Sequence, residues 1–285
     1  MSAEGPASGS PDTAFVDARA VLRRHGLRPD PRLGQNFLID PEALERVVRA
    51  AELDPADCVL EIGAGVGTLT VRLARDARRV VAVELDRRLI APLCEVVRNV
   101  LHVEVIHADV MQLDLGSVLR GNPFRVVANI PYQITSHLIR RLMEMPHGPD
   151  RVVLTLQAEV VDRVVAEAGE MSLLALSVQV YGRAQRMARI PASAFFPAPE
   201  VDSAILRIDR HPRPVIAPEL LPAFFRAARA GFQQRRKQMH NALAGGLGLP
   251  AAEVAAILEA AGIRPERRAQ ELSLEDWGRL AGQLD

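Results

Sequence analysis

Short apolar runs alternate with amphipathic stretches of helical length along the first two thirds of the chain. The runs lie near residues 58–62, 79–84, 102–107, 124–129 and 151–157, and each has the length of one buried strand. Regular alternation of strands and helices is typical of a parallel, doubly wound α/β sheet, because each parallel crossover places a helix on a face of the sheet.

Two later apolar runs break this alternation. Residues 186–190 and 204–208 have no long helix between them, and strands joined without a long crossover pair in an antiparallel manner. We therefore expect an antiparallel pair at the edge of the sheet. The sequence then reaches His211-Pro212-Arg213-Pro214, which is typical of a linker.

Helical periodicity dominates the rest of the chain and predicts a small all-helical domain. The predicted helices are 218–230, 235–244, 250–261 and 273–283. At the other end, a helical stretch near 13–25 follows a segment rich in Ser, Pro, Gly and Ala, which indicates a disordered tail. The predicted parts are a tail (1–12), a catalytic domain (13–210) and a helical domain (211–285).

A glycine-rich turn directly follows the first apolar run. The segment 63–68 reads Gly-Ala-Gly-Val-Gly-Thr and precedes a helical stretch, which is the order of a nucleotide-binding loop. Glycine lets the backbone approach a ligand, because no Cβ stands in the way. Glu84 ends the second run 21 residues after Gly63, where a carboxylate commonly binds ribose hydroxyls. Asp109 follows the third run.

A glycine loop with a later acid also suits NAD, and we weighed that alternative. The dinucleotide fingerprint needs glycine at position 68, where this chain has Thr68. A methyl donor has no diphosphate, and needs an acid for its ribose and a polar group for its adenine amine. Glu84 and Asp109 fit these two needs, so the pattern favours S-adenosylmethionine.

The tetrapeptide Asn129-Ile130-Pro131-Tyr132 ends the fourth run and suits the binding of an amino-purine. The Asn129 side-chain oxygen and the Ile130 carbonyl could accept hydrogen bonds from the two N–H groups of adenine N6. They would act as preorganised dipoles that stabilise the positive charge that develops on this nitrogen. Pro131 fixes one backbone angle, and Tyr132 could stack on the base. The alternative is an ordinary strand end with a proline turn.

Composition suits one large α/β domain with a small appendage, in a chain of 285 residues of which 48% are hydrophobic. No apolar run reaches the roughly 18 residues of a membrane span, and the first residues do not resemble a signal peptide. Cys58 and Cys94 lack an accompanying histidine pattern, so we predict reduced thiols and no metal. We expect a monomeric cytoplasmic enzyme that does not associate with membranes.

Charge is balanced over the whole chain, with 35 basic and 35 acidic residues. The segment 210–285 nevertheless carries 11 Arg and Lys against 8 Asp and Glu. Its basic cluster predicts contacts with RNA phosphates, although a solvated helix face would look the same. The members of this cluster are Arg226, Arg229, Arg235, Arg236 and Lys237.

The ordered motifs resemble the ribosomal RNA adenine dimethyltransferase family, of the KsgA or RsmA type that modifies small-subunit rRNA. The resemblance extends from Leu33 to Leu280 and rests on several segments in their order. These are Leu33-Gly34-Gln35-Asn36-Phe37-Leu38, Glu61-Ile62-Gly63-Ala64-Gly65, Glu84, Asp109, Asn129-Ile130-Pro131-Tyr132, Phe195-Phe196-Pro197-Ala198-Pro199-Glu200-Val201-Asp202-Ser203 and Phe232-Gln233-Gln234-Arg235-Arg236-Lys237.

The resemblance implies a Rossmann-like methyltransferase sheet and a role for each matched residue. Donor binding is implied for Gln35, Asn36, Leu38, Gly63, Gly65, Glu84, Leu85, Asp109, Val110 and Asn129. Glu84 would hold the ribose, Asp109 the adenine, and Asn129 would lie between donor and target. Tyr132 and Phe195 would sandwich the target base, because the family's stacking ring stands two residues before the first proline. Phe196 would then be a packing neighbour.

The implied reaction is transfer of methyl groups from S-adenosylmethionine to N6 of adjacent adenosines near the 3′ end of 16S rRNA, during assembly of the 30S particle. One departure is that Leu173-Leu174 stands where family members often carry Tyr-Gly, which affects the expected RNA contacts.

Three alternatives remain open. A DNA adenine or protein glutamine methyltransferase usually has Pro where this chain has Ile130. A binding factor for subunit assembly could share the whole architecture. Antibiotic-resistance methyltransferases of large-subunit rRNA share the core, and Arg235-Arg236-Lys237 favours the small-subunit type.

Overall fold

The structure is a computed structural model that describes residues 16–130, 135–234 and 236–284. The predicted tail, 1–12, lies outside the described residues. The strands are β1 (Phe37–Leu38), β2 (Cys58–Ile62), β3 (Arg79–Glu84), β4 (Val103–His107), β5 (Arg125–Asn129), β6 (Arg151–Gln157), β7 (Gly182–Ile190), β8 (Phe195–Phe196) and β9 (Ser203–Arg210).

Helices cover the sheet and form most of the chain beyond it. They are α1 (Ala18–Arg24), α2 (Pro41–Ala51), α3 (Thr70–Asp76), α4 (Arg87–Val97), α5 (Leu115–Leu119), α6 (Thr135–Glu144), α7 (Ala158–Val164), α8 (Leu173–Gln179), α9 (Leu221–Phe232), α10 (Met239–Leu247), α11 (Ala251–Ala260) and α12 (Leu274–Ala281). No described helix is long and apolar enough to cross a membrane.

Seven strands form the main sheet in the order β4-β3-β2-β5-β6-β9-β7. The first five are parallel, and β9 runs antiparallel to both of its neighbours. The predicted doubly wound sheet with an antiparallel edge pair is therefore confirmed. Strand order reverses between β2 and β5, and ligands of such sheets bind at the carboxyl ends of the strands near this point.

The edge pair is longer than its apolar runs indicated. β7 begins at Gly182 and carries mostly exposed or half-buried residues, among them Arg183 and Arg186. An edge strand has one neighbour and a solvated side, so its polar half gives no apolar signal. A second, two-stranded sheet pairs β1 with β8, with Phe37 opposite Phe196 and Leu38 opposite Phe195.

The C-terminal helices pack on the sheet domain through a continuous core. Phe224, Leu243 and Trp277 belong to the same buried cluster as Leu60 of β2 and Leu154 of β6. The helix predicted at 235–244 is in fact Met239–Leu247 and continues through Gly245 and Gly246. A Cβ at Gly246 would lie 2.5 Å from the Ala230 Cβ, so glycine serves here for close contact between α9 and α10 and not as a helix stop.

Candidate active site

The glycine turn lies at the carboxyl end of β2, beside the end of β3. The amides of Gly63 and Ala64 donate to the Val83 carbonyl over 2.8 and 3.2 Å, which fixes the turn to the sheet. Gly65 has a φ of +61°, and a Cβ there would lie 3.0 Å from the Phe37 ring. Glycine therefore allows both the left-handed backbone and the close packing of Phe37 over the turn.

Glu84 connects the glycine turn to the start of α4. One carboxylate oxygen accepts from the Gly65 amide over 2.7 Å, and the other accepts from the Asp86 amide over 2.8 Å. Burial raises the pKa of Glu84, while these two amides act in the opposite direction. A carboxylate offers about four acceptor positions, so it can also accept from the two hydroxyls of a ribose.

Residues 33–38 form a cover over the glycine turn. Gln35 accepts from the Asp30 amide and donates to Asp86, each over 2.8 Å. The hydrogen bond from Arg88 to Asp86 lowers the pKa of Asp86 to about 2, although its burial opposes this, so Asp86 is a carboxylate acceptor. Gln35 is thus an anchor for the cover as well as part of the cavity wall.

Asn129 joins the cover to the end of β5. Its side-chain Nδ2 donates to the Asn36 carbonyl over 2.9 Å. This bond assigns the orientation of the amide, and no hydrogen bond to Asn129 Oδ1 occurs within the described part of the chain. Within the described residues, the amide oxygen is therefore an unused acceptor at the strand end.

These elements enclose a cavity of about 240 Å³. All ten residues predicted to bind the donor line it, and Ile130 lines it as well. Leu85, which is 54% exposed, and the buried Val110 contribute apolar side chains to the same lining as Asp109. Asp109 accepts from the Met111 amide over 2.9 Å, which holds its carboxylate at the wall.

Glu61 also lines the cavity, and no role was predicted for it from the sequence. It lies in the wholly buried strand β2, is 1% exposed, and its Oε2 has no hydrogen-bond partner among the described residues. Burial raises its pKa to about 8. An acidic residue inside the otherwise apolar run Val59–Ile62 was the signal that could have found it.

The described lining fits S-adenosylmethionine and not a nucleotide phosphate. It contains the carboxyl groups of Glu61, Glu84 and Asp109 but no Arg, Lys or His. Unpaired acidic groups favour a cation such as a sulfonium and repel a diphosphate. The unpartnered Glu61 oxygen and the glycine turn are features that such a ligand could use.

The structure describes only some of the residues predicted to bind the target base. Pro131 and Tyr132 lie outside the described residues. Phe195 is 2% exposed and packs in a buried cluster with Leu38 and Ile205, whereas Phe196 is half-buried under the Arg19 guanidinium. Phe195 does not line the cavity. Stacking by Phe195 therefore stays a prediction, and it would require the ring to become accessible.

The described members of the predicted RNA-binding cluster are exposed. We call the side chains of Arg226, Arg229, Arg236 and Lys237 the basic surface; Arg235 lies outside the described residues. Arg226 and Arg229 line a second cleft, of about 830 Å³, together with Arg163 and the segment 170–173. Backbone bonds from Gly169 and Met171 to the Gln270 carbonyl connect this segment to the C-terminal helices.

One wall of the second cleft lies next to the strand ends that form the cavity. β6 runs parallel to β5, which ends at Asn129. α7 starts directly after β6 and contributes Glu159 and Arg163 to the cleft. The cleft that Arg226 and Arg229 line therefore has one wall at the carboxyl end of β6.

Sequence comparison relates almost the whole chain to one family. The sequence model described as Ribosomal RNA adenine dimethylase matches residues 27–285. A protein of Dehalococcoides mccartyi named Ribosomal RNA small subunit methyltransferase A is 41% identical, over 96% of this chain and 94% of the relative. One with the same name from Pelotomaculum thermopropionicum is 38% identical, over 92% of this chain and 94% of the relative.

Structure comparison finds similar proteins with related activities. The 23S rRNA methyltransferase ErmE has a TM-score of 0.72 and 30% identity, over 88% of this chain and all of its own. A dimethyladenosine transferase from Plasmodium falciparum has a TM-score of 0.74 and 25% identity, over 86% of this chain and 95% of its own. Both similarities extend across the sheet and into the C-terminal helices.

Proposed function

The chain belongs to the ribosomal RNA adenine dimethylase family, and we propose that it dimethylates N6 of adjacent adenosines near the 3′ end of 16S rRNA. It is an S-adenosylmethionine-dependent methyltransferase, as its family and its structural relatives are. The name shared by its relatives supports the small subunit as the substrate. We further propose that it acts as a monomer in the cytoplasm, on an assembling 30S particle.

The orientation of Asn129 is the observation that carries this proposal. Its Nδ2 is engaged by the Asn36 carbonyl, so its Oδ1 is the end available to an incoming amine. The next residue, Ile130, also lines the cavity, and its backbone carbonyl would be the second acceptor. Two acceptors in succession match the two N–H bonds of an exocyclic amine.

Adenine N6 is a weak nucleophile, and these two acceptors would increase its reactivity. Its lone pair is delocalised into the ring, and acceptors on its N–H bonds favour the pyramidal form that can attack. Bound S-adenosylmethionine supplies an electrophilic methyl group. Asn129 Oδ1 and the Ile130 carbonyl would stabilise the positive charge that develops on nitrogen, because fixed dipoles need no reorganisation during the reaction. The amine then loses a proton to solvent.

The other side chains of the cavity would hold the donor. Glu84 is placed to accept from ribose hydroxyls, and Asp109 to accept from an adenine amine. Leu85 and Val110 offer apolar contacts to the purine. Tyr132 and Phe195 are proposed to hold the target base, which must leave its stack to reach the cavity.

The basic surface is proposed to bind the phosphates of the same RNA. Its side chains are exposed, and arginine can donate two parallel hydrogen bonds to one phosphate. The start of α7 at the end of β6, and the part of α7 in the wall of the second cleft, support a path for RNA from the cavity to α9. The helical part, 211–285, would thus select the substrate that the catalytic part, 13–210, methylates.

Mass spectrometry of nucleosides tests the proposal directly. The protein is incubated with S-adenosylmethionine and with small or large ribosomal subunits that lack the modification. We expect dimethyladenosine in small-subunit rRNA and none in large-subunit rRNA. Product in the large subunit would instead support the activity of ErmE, and absence of product in both would contradict methylation of ribosomal adenosine.

A further inference from the structure

One buried ionisable group of the cavity, Glu61, has no role in the proposed transfer. Glu61 is enclosed between β3 and β5, which pair with β2 on either side. Its Oε2 lacks a hydrogen-bond partner in the described structure, although the side chain is only 1% exposed. Burial of an unsatisfied carboxyl costs stability, so a partner is expected to arrive with a ligand.

Among the described residues that line the cavity with Glu61, none is Arg, Lys or His. Glu84 and Asp109 share the cavity with it. Arg72 and Arg75 of the adjacent helix α3 are directed to Glu45. A negative potential in an enclosed space is weakly screened and therefore acts strongly on a charged ligand.

Charge is the main difference between the methyl donor and the product of the reaction. Transfer moves the methyl group from sulfur to nitrogen, and the sulfonium becomes a neutral thioether. Adenine, ribose, ammonium and carboxylate are common to both molecules, so hydrogen bonds to these groups cannot distinguish them. Two transfers to one nitrogen require that product leaves and fresh donor enters.

We propose that Glu61 is a specificity-determining residue whose buried carboxyl makes the cavity prefer the charged donor to the neutral product. The proposal rests on the use of S-adenosylmethionine and not on the identity of the RNA. Glu84 is less suited to this task, because both of its oxygens already accept backbone amides. Glu61 has an oxygen without such a bond.

The protonation state of the Glu61 carboxyl provides a second way to test the proposal. Burial raises the pKa of Glu61 to about 8, the Thr70 hydroxyl lowers it, and the Glu84 carboxylate raises it further. The Thr70 hydroxyl lies near enough to have this effect, but its Oγ1 makes no hydrogen bond of normal geometry within the described structure. The carboxyl is thus largely neutral in the free protein at pH 7, and a nearby cation favours its ionisation. Donor binding should release a proton, whereas product binding should not.

Calorimetric titration of the full chain tests both signatures without RNA. The ligands are S-adenosylmethionine, S-adenosylhomocysteine and an analogue with an ammonium in place of the methylsulfonium. Glu61→Gln should lower the affinity for the two charged ligands about tenfold, or about 1.4 kcal/mol, and change the affinity for the product less than about twofold. Titration at pH 7 in buffers of different ionisation enthalpy should show proton release for the wild type with charged ligands only.

Glu84→Gln is the matched control, because the ribose that Glu84 is placed to bind is common to all three ligands. It should weaken all three similarly. Equal losses for donor and product in Glu61→Gln, or no loss at all, would overturn the proposal.

The wild type provides an independent measurement if the variant does not fold. Its ratio of donor affinity to product affinity should rise between pH 6 and pH 9, as the Glu61 carboxyl ionises. A constant ratio would also overturn the proposal. None of these outcomes depends on the RNA substrate, so failure here leaves the nucleoside experiment to decide the proposed function separately.

Discussion

The cavity is enclosed and acidic, whereas the basic surface is exposed and positively charged. The cavity is enclosed, and its described lining holds three carboxyl groups and no Arg, Lys or His. The basic surface is exposed along and beyond α9. A small cation can be surrounded by buried acids, whereas a polyanion such as RNA needs only accessible cations that follow its phosphates.

This difference predicts how substitutions in the two regions will behave. Interactions in an enclosed site are strong and little affected by salt, because few ions and little water lie between the groups. Interactions at an exposed surface are individually weak and strongly dependent on salt. Changes in the cavity should therefore affect the donor and the chemical step, and changes on the basic surface should affect RNA affinity alone.

Asn129→Ala should produce the largest effect and sharpen this contrast. Removal of one preorganised dipole typically costs about 10²–10³ in rate, so single-turnover transfer at saturating donor should fall by that factor. Donor affinity should fall less, because the cover is also anchored by Gln35 and by the pairing of β1 with β8. RNA affinity should remain at its wild-type value.

Asn122→Ala is the matched control for this variant. The Asn122 side chain donates to the Leu119 carbonyl at the amino end of β5, far from the cavity. This variant should retain the wild-type rate. A wild-type rate of methyl transfer in Asn129→Ala would contradict the proposed catalytic role of Asn129. If the inactive Asn129→Ala variant still binds small ribosomal subunits, binding is separable from methylation.

The double substitution of Arg236 and Lys237 by Ala should give the next largest effect. RNA affinity should fall about tenfold at 0.1 M salt, and the slope of log affinity against log salt should decrease by about 1.5, because each lost phosphate contact changes it by roughly 0.7–0.9. Donor affinity should not change. Filter binding over a salt series measures the first two quantities, and calorimetry measures the third.

Arg78 and Arg120 provide a control pair for the basic surface. Both are exposed and line a shallow groove at the amino ends of the parallel strands. Their substitution by Ala should not change RNA affinity. An equal loss from both pairs would indicate general charge attraction and contradict a defined RNA-binding surface.

The contrast between the regions also explains what the sequence could predict. Gly63, Glu84, Asp109 and Asn129 stand at or just after successive strand ends, and parallel topology necessarily brings such ends to one edge. Periodicity and spacing were therefore enough to place these four residues on the cavity wall, whereas the cover, residues 33–38, was found only through the family resemblance. The helical part could be predicted as helical, but not how its surface adjoins the cleft beside α7.

Features that depend on tertiary contacts were missed. Glu61 stands inside an apolar strand, so local pattern assigns it to the core, and only the enclosed cavity reveals a possible ligand. The continuation of α10 through Gly246 depends on its contact with Ala230. The burial of Phe195 depends on the pairing of β8 with β1, two short segments that are distant in sequence.

Glu61→Gln should also change stability in the absence of ligand. The pKa of Glu61 is about 8, above the ordinary value of 4.5, so the folded protein binds a proton more tightly than the unfolded chain. Stability is therefore lost as pH rises from about 4.5 through 8. The variant has no carboxyl at this position and does not lose this stability. The difference between its free energy of unfolding and that of the wild type should therefore increase by about 1–2 kcal/mol from pH 6 to pH 8.

Urea unfolding at the two pH values measures this difference. Glu253→Gln, at an exposed position on α11, is the control and should show no change with pH relative to the wild type. A Glu61→Gln effect of the same size at both pH values would mean that the residue acts by packing and not by ionisation.

Asp86 and Asp276 allow the smallest and most direct comparison, because each is a buried carboxylate paired with arginine. Asp86 supports the cover of the cavity, and Asp276 lies in α12 of the helical part. Burial raises the pKa of Asp276, but the Ser273 amide with Arg267 and Arg279 outweighs it, so this pKa is lowered, as that of Asp86 is. Both carboxylates therefore stabilise the protein above the ordinary Asp pKa, and the contribution is lost at lower pH.

Asp276→Asn weakens the capping box of α12 and should cost about 1 kcal/mol of unfolding free energy at pH 7, with unchanged donor affinity. Asp86→Asn should have a similar cost and also weaken donor binding, because Asp86 anchors Gln35. Equal donor affinity in the two variants would show that the cover does not depend on this anchor.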